Sequence, residues 1–251
     1  MLPLLLSIPH GGSEVPEELR DRVRIAPEDL FDDGDAFTAD IYDLGGDVAQ
    51  VVKARVARAF VDLNRAPGER PPQYPDGVVK SATCFERPIY KPGLEPDTAL
   101  TELLIERYHA PYHGLLEEAA ANPSVRLALD CHSMLAAAPP IGSDAGTARP
   151  PFCLSNRDGA TAPDELLHEL AEAISSAFGV ERGEIGLNRP FKGGYITRRH
   201  GGGRVPWIQV EMNRSLYLSD PWFDRAALRV EAARIAELRD RFRAALRLLR
   251  L

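Results

Sequence analysis

The sequence predicts an α/β fold built on a parallel sheet. Short apolar runs of strand length alternate along the chain with longer stretches of helical periodicity. Three of these runs, at residues 4–8, 125–134 and 205–210, are mostly apolar and end abruptly in polar residues. Apolar runs of this kind are typical of strands that are buried on both faces of a parallel sheet.

The other elements follow from periodicity and from residues that begin or end helices. Apolar runs predict further strands at residues 48–52, 56–63 and 152–155. Helical patterns predict helices near residues 27–30 and 35–44, over 98–121 with a kink at Pro111, and over 163–178, ending at Gly179.

The C-terminal segment predicts a long helix. Asp220 is a good N-cap and Pro221 suits the first helical position. A near-heptad stripe follows, formed by Leu228, Ile235, Leu238, Phe242, Ala245 and Leu249. Residues 66–98 and 136–150 predict loops, and the glycine-marked segment 188–199 predicts a turn that leads into a strand.

Composition indicates a cytoplasmic enzyme with one domain over residues 1–251. The formal net charge of −7 makes nucleic acid an unexpected partner. The three cysteines cannot all pair and have no Cys-x-x-Cys spacing, so we expect reduced thiols. The N-terminal apolar stretch lacks a basic region and is too short for a signal peptide or a membrane span, so we expect no membrane partner.

Polar side chains at the ends of three strands predict a site. Because ligands bind outside the carboxyl ends of parallel strands, we expect His10, His132 and Glu211 to meet at one edge of the sheet. Two histidines and a carboxylate can hold a catalytic zinc with one open position. The residues alone leave the third ligand open between Glu14, which lies four residues after His10, and Asp35.

Glu211 has two interpretations. A carboxylate at the end of an apolar strand is costly to bury, which favours either a general base of raised pKa or an ion pair with an arginine such as Arg214. Four arginines lie near predicted strand ends or glycine turns, and together they indicate an anionic substrate. These are Arg58, Arg65, Arg198 and Arg214.

Other motifs are weaker. His109 and His113 have the i, i+4 spacing of a helical metal chelate, but Pro111 lies between them and no glutamate follows His109. His168 is expected to be a surface or packing residue of its helix. The glycines at 201–203 lack the remaining residues of a phosphate-binding loop.

Several segments together resemble the N-formylglutamate amidohydrolase family. They appear in the family's order and span roughly residues 7–217. The segments are Ser-Ile-Pro-His10-Gly-Gly, Arg58-Ala-Phe-Val-Asp62-Leu-Asn64-Arg65, Tyr108-His-Ala-Pro-Tyr-His113, Leu-Asp130-Cys-His132-Ser-Met, Phe-Lys-Gly193-Gly194-Tyr195-Ile-Thr and Glu211-Met-Asn213-Arg214-Ser-Leu-Tyr.

The resemblance implies a fold and a chemistry. It implies a central mixed, mostly parallel sheet flanked by helices, similar to zinc carboxypeptidases. It also implies one zinc ion per chain, with another divalent metal as an alternative, held by His10, Asp35 and His132. Glu211 is then the general base.

The resemblance also implies a small anionic N-acyl amino acid as the substrate. Arg65 and Arg214 are expected to bind its carboxylates, and Asn64 and Tyr195 to line its pocket. Two alternatives stay open. One is a hydrolase of another N-acyl amino acid or peptide-like amide, and the other is a protein of this fold that binds a metal or an acidic ligand without turnover.

Overall fold

A six-stranded mixed sheet forms the centre of the computed structural model, which describes residues 1–139 and 145–251. Its strands are β1 (Leu2–Ile8), β2 (Val48–Lys53), β3 (Leu127–Met134), β4 (Phe152–Ser155), β5 (Gly186–Leu187) and β6 (Trp207–Asn213). The order across the sheet is β2-β1-β3-β6-β4-β5. The first four strands in this order, from β2 to β6, are parallel to one another. Strand β4 runs antiparallel to β6, and β5 is parallel to β4. The predicted mixed, mostly parallel sheet is therefore confirmed.

Seven α-helices flank this sheet in the described residues. They are α1 (Pro27–Asp33), α2 (Thr38–Tyr42), α3 (Thr98–Leu104), α4 (Ala110–Ala121), α5 (Asp164–Phe178), α6 (Tyr195–His200) and α7 (Ala232–Arg247). Short 3-10 turns lie at Glu17–Leu19, Gly45–Asp47, Arg182–Glu184 and Arg214–Leu216. A π-helical turn, Ile105–His109, joins α3 to α4. The irregularity ends just before Pro111, in the first turn of α4, where proline lacks the N–H that would continue the helical ladder.

The two faces of the sheet have different chemistry. On one face, apolar side chains of β1, β3 and β6 pack beneath α2, α5 and α7. Successive strand residues point to opposite faces, so the intervening positions face the side covered by α4. There the first residues are apolar, and the later ones are polar and buried: Ser7, Asp130, His132, Gln209 and Glu211. The sheet therefore presents a row of polar groups near the carboxyl ends of its parallel strands.

The strand predicted at residues 56–63 is wrong. This apolar run is buried, but it forms an irregular turn in which the Phe60 amide donates to the carbonyl of Ala57. The reason is an ion pair between Arg58 and Asp62, whose Nε–Oδ2 distance is 2.9 Å. In a strand, residues four positions apart would be separated by roughly 13 Å, so this pair requires a compact turn.

Two further predictions are corrected. The segment 188–199 leads into a helix, α6, instead of a strand. The final helix begins at Ala232 and not near Asp220, because a hairpin of β7 (Phe223–Asp224) and β8 (Arg229–Val230) intervenes. Leu228 lies in that hairpin at a φ of 50° and so is not part of the helical stripe.

Other predictions hold within limits. The helices predicted near 27–30 and over 98–121 and 163–178 are present, and residues 66–97 contain no regular helix or strand. Of the loop predicted at 136–150, residues 140–144 lie outside the described residues. No helix in the described ranges combines the length and the apolar character needed to cross a membrane.

We expect Leu238→Ala in α7 to lower the free energy of unfolding by about 2–5 kcal/mol, because Leu238 is 1% exposed and truncation leaves a cavity in the core. Leu248→Ala, at a side chain that is 53% exposed, is the matched control and should change it by less than about 0.5 kcal/mol. Urea denaturation of the two variants measures both values. Similar losses in both would contradict the packing of α7 described here.

Candidate active site

A cavity of about 360 Å³ lies where β1, β3 and β6 end, within the usual size range of small-molecule sites. Of the residues predicted for the site, those that line it are His10, Asp35, Arg58, Asn64, Arg65, His132, Glu211 and Arg214. Tyr195 lines a neighbouring cavity of about 410 Å³ together with Arg198, and that cavity shares Asn64 and Arg65 with the first. All the predicted site residues except Glu14 and the weaker candidates His109 and His113 therefore border one of two neighbouring cavities.

His10, Asp35 and His132 form a group that could hold a metal ion. Oδ2 of Asp35 lies 3.4 Å from Nδ1 of His10 and 3.2 Å from Nδ1 of His132, and the two Nδ1 atoms are 3.2 Å apart. Ligands placed 2.0–2.1 Å from a tetrahedral zinc would be about 3.3–3.4 Å from one another. The spacing of these three atoms fits such an ion.

A carboxylate fixes each of the two imidazoles from behind. Nε2 of His10 donates to Oδ1 of Asp62 at 2.8 Å, and Nε2 of His132 lies 3.2 Å from Oδ1 of Asp130. A proton on each Nε2 leaves the lone pair of each Nδ1 directed at the shared point, which is the usual outer arrangement of metal-binding histidines. Ser7 and Thr197 donate hydroxyl hydrogen bonds to Asp130 and hold it in place.

The structure brings Asp35, and not Glu14, to the two histidines. Oδ2 of Asp35 accepts from the amide of Ser133, and Oδ1 accepts from Nη2 of Arg214 at 2.8 Å. Burial alone would raise the pKa of Asp35, but its contacts with His10 and His132 and the charge of Arg214 hold it well below its usual value. Glu14 instead forms a bidentate pair with Arg55 at the exposed surface.

Glu211 lies directly beside His132, because β6 pairs with β3 in that register. Burial raises the pKa of Glu211 to about 7; the Asp35 carboxylate adds to the rise and His132 opposes it. Oε1 of Glu211 accepts from Nε2 of Gln209 at 2.6 Å. The side chain of Gln209 is fixed in turn, since its Oε1 accepts from the amide of Gly194.

The arginines differ in what they contact. Arg214 donates to Ser133, to the carbonyl of Asp32 and to Asp35, so its contacts join the metal-ligand group to α1. Arg65 is 30% exposed and donates to the backbone and the carboxylate of Asp76 at the cavity wall.

Arg58 and Lys80 lie deeper. Lys80 is fully buried, 3.1 Å from Asp33 and 3.1 Å from Asp76. Burial would raise the pKa of Asp76, but Lys80, Arg58 and Arg65 lower it to about 2. Sequence reasoning missed Lys80, since nothing in the irregular stretch around it indicated burial. It also gave no role to Gln209, although a polar residue two positions before Glu211 on one strand lies on the same face.

His109 and His113 are outside the metal-ligand group. They are buried side by side on the far side of residues 62–65, with ring centroids 4.4 Å apart. His168 is exposed on α5, as expected, and contacts Arg182.

Two histidines and an aspartate at metal-ligand spacing, beside a buried glutamate of raised pKa, are typical of hydrolase active sites. Comparison with known proteins narrows this class. Residues 2–218 match the model of the N-formylglutamate amidohydrolase family, and the chain belongs to that family.

Individual relatives agree. An N-formylglutamate deformylase of Pseudomonas putida is 31% identical over 229 residues, which cover 87% of this chain and 83% of that protein. One of Pseudomonas aeruginosa is 28% identical over 250 residues, which cover 93% and 89%. The crystal structure of N-formylglutamate amidohydrolase from Ralstonia eutropha JMP134 has a TM-score of 0.80 at 24% identity, covering 98% of this chain and 92% of that one. That likeness shows the shared fold.

We expect His113 to make the protein less stable in acid. Burial, with His109 and His200 nearby, lowers the pKa of His113 to about 3, whereas an unfolded histidine titrates near about 6.5. The unfolded chain therefore binds the extra proton. The stabilising contribution of the neutral ring is fully present above about pH 6.5 and is lost as the pH falls towards the folded value.

His113→Gln removes this titration. Between about pH 6 and 4, its free energy of unfolding should fall less steeply than that of the wild type, by up to about 1.4 kcal/mol per pH unit. Urea denaturation at stepped pH measures the two slopes. Parallel slopes would show that His113 is protonated equally in both states.

Proposed function

We propose that this chain is a zinc-dependent amidohydrolase that converts N-formylglutamate and water to glutamate and formate. The main support is the group of three ligand atoms at tetrahedral spacing beside Glu211, in a chain of this family. The names of the Pseudomonas relatives state the same activity for those proteins. We also propose that residues 1–251 act as one domain, in the cytoplasm.

In this proposal His10, Asp35 and His132 hold one zinc ion per chain. The donor set of two imidazole nitrogens and a carboxylate oxygen suits zinc and leaves a position open. A bound zinc ion would supply a water of lowered pKa and polarise the formyl oxygen. Asp62 and Asp130 keep the two imidazoles in the tautomer that binds metal through Nδ1.

Glu211 is the proposed general base. With a pKa of about 7, a large fraction of its carboxylate is ionised at neutral pH and can accept a proton from the attacking water. Once protonated, Glu211 can return the proton to the amine as the amide C–N bond breaks. Gln209 holds one carboxylate oxygen, so proton transfer takes place at the other oxygen, Oε2.

Recognition of the substrate involves positive charge at the cavity wall. N-formylglutamate has two carboxylates, and a guanidinium fork can bind both oxygens of one of them. We propose Arg65 and Asn64 for this contact, with Tyr195 at the edge of the adjoining cavity. Arg214 was predicted for the same role; because its side chain is only 7% exposed and its donors contact Asp35, Asp32 and Ser133, we propose that it mainly orients Asp35. Arg65 also has a partner, Asp76, but its side chain is 30% exposed at the cavity wall.

Zinc-loaded wild type should release formate from N-formylglutamate. Glu211→Gln should keep one zinc per chain and lose turnover by at least about 10²-fold, because the amide cannot act as a base. His132→Ala should lose stoichiometric zinc while remaining folded, because only two ligands remain. A formate assay, metal analysis and circular dichroism of the three proteins measure these results.

The failures are informative. Near-normal activity of Glu211→Gln would remove that residue from the mechanism, and full zinc content in His132→Ala would contradict the metal site. A panel of N-acyl amino acids covers the alternatives. Turnover of another member but not of N-formylglutamate would identify a different substrate, and binding without any turnover would identify a binding protein.

Arg65→Lys should reduce kcat/KM for N-formylglutamate by about 10- to 150-fold, because a hydrogen bond to a charged group contributes roughly 1.5–3 kcal/mol and lysine loses the fork. With N-formylglutamine, whose side chain is neutral, or with the α-amide of N-formylglutamate, one of the two losses should be much smaller. That pattern identifies the carboxylate that Arg65 binds. Arg55→Lys, at an arginine that is 81% exposed and lines neither cavity, is the control. Equal losses with every substrate would assign Arg65 a structural role.

A further inference from the structure

His109, in the π-helical turn before α4, and His113, in α4, have no place in the proposed chemistry. Both side chains are nevertheless buried, at 2% exposure. Each contacts a backbone carbonyl of residues 63–65, the segment that carries Asn64 and Arg65 of the cavity wall. Nε2 of His109 lies 2.9 Å from the carbonyl of Arg65, and Nε2 of His113 lies 3.0 Å from the carbonyl of Leu63. Because a carbonyl only accepts, each imidazole has its proton on Nε2. The pair therefore fixes the backbone on both sides of Asn64.

A third imidazole, that of His200, contacts the second ring nitrogen of His113. Its Nδ1 lies 2.8 Å from Nε2 of His200 in α6, so Nδ1 accepts and His200 donates. Burial lowers the pKa of both His109 and His113, which keeps them neutral at physiological pH. Two neutral imidazoles on one helical face thus form a fixed pair of donors.

Asn64, between the two braced carbonyls, connects them to the site. Its backbone amide donates to Oδ1 of Asp62 at 2.9 Å, the same oxygen that accepts from His10. Its side-chain oxygen accepts from the amide of Ile196 at 2.8 Å, and its Nδ2 lies 3.3 Å from Nε2 of His132. A shift of residues 63–65 would therefore move the partner of one proposed zinc ligand and the residue packed against another.

We propose that His109 and His113 are positioning residues, which hold residues 63–65 so that Asp62 stays aligned with His10 and so that Asn64 and Arg65 face the cavity. The inference rests on the proposed hydrolase and adds a role for side chains that contact neither metal nor substrate. It gives the Tyr108-His-Ala-Pro-Tyr-His113 motif a function other than metal binding.

The test compares two replacements at each position. His113→Leu removes the donor, whereas His113→Gln keeps an N–H near Nε2 and a carbonyl able to accept from His200. His109→Leu and His109→Gln form the second pair, which decides the question if His113→Leu does not fold. His168→Leu, at an exposed histidine of α5, is the control.

At a temperature where every variant is fully folded, both leucine variants should lose about 10-fold or more in kcat/KM and in zinc affinity, the scale found when outer partners of metal ligands are removed. The glutamine variants should recover most of both quantities, and His168→Leu should match the wild type. Formate release gives kcat/KM, and chelator competition gives zinc affinity.

A purely structural role would lower the melting temperature while leaving kcat/KM and zinc affinity of the folded protein unchanged, and that result would overturn the inference. Equal losses in the leucine and glutamine variants would also overturn it, because the donor would then be irrelevant. If wild type releases no formate from N-formylglutamate, the proposed function fails by itself. The comparison of zinc affinities would still test whether His109 and His113 position residues 63–65.

Discussion

The burial of ionised carboxylates is the constraint on which this site depends. Five acidic side chains of the described chain are at most 6% exposed: Asp33, Asp35, Asp62, Asp130 and Glu211. Removing such a group from water is costly unless it gains a charged or hydrogen-bonding partner. Each of the four aspartates has several partners, which include Lys80, Arg214 and the two metal-site imidazoles.

Glu211 is compensated least. Its hydrogen bond to Gln209 is from a neutral amide, and burial dominates its environment. Different surroundings therefore separate the carboxylates into distinct roles: Asp35 and Asp62 have lowered pKa values and remain anionic, while Glu211 can gain and lose a proton near neutral pH. Such a separation of pKa values is how one fold assigns fixed charges and a proton carrier. The carboxylates buried around the site also favour the binding of a cation.

The sequence predicted those parts of the site that depend on local pattern. His10, His132 and Glu211 follow or end apolar runs, and strand direction brings such ends together. The alternation of side chains along β3 and β6 could have predicted two more residues of the site. Asp130 lies two residues before His132, and Gln209 lies two residues before Glu211, so each shares the face of its neighbour. The choice of Asp35 over Glu14 needed the family pattern, since both carboxylates follow His10 at plausible distances.

The remaining parts depend on contacts between distant segments. Asn64 supplies the acceptor for the Ile196 amide in the first turn of α6, and no residue near that helix indicates it. The turn at residues 56–63 exists because Arg58 and Asp62 pair, although its composition is that of a strand. Lys80 lies in a stretch without periodicity, where burial of a lysine follows only from the aspartates that surround it.

The start of α6 connects the two sides of the site, and a glycine makes this possible. A Cβ at Gly194 would lie 2.2 Å from Nδ2 of Asn64, so a larger residue would displace that side chain from its place beside His132. The amide of Gly194 donates to Oε1 of Gln209. This contact orients Nε2 of Gln209 towards Glu211. One short backbone segment thus fixes both the residue packed against a metal ligand and the partner of the proposed base. Because a Cβ would collide with Asn64, the second glycine of Phe-Lys-Gly-Gly-Tyr follows from the geometry of the site and not from a need for flexibility.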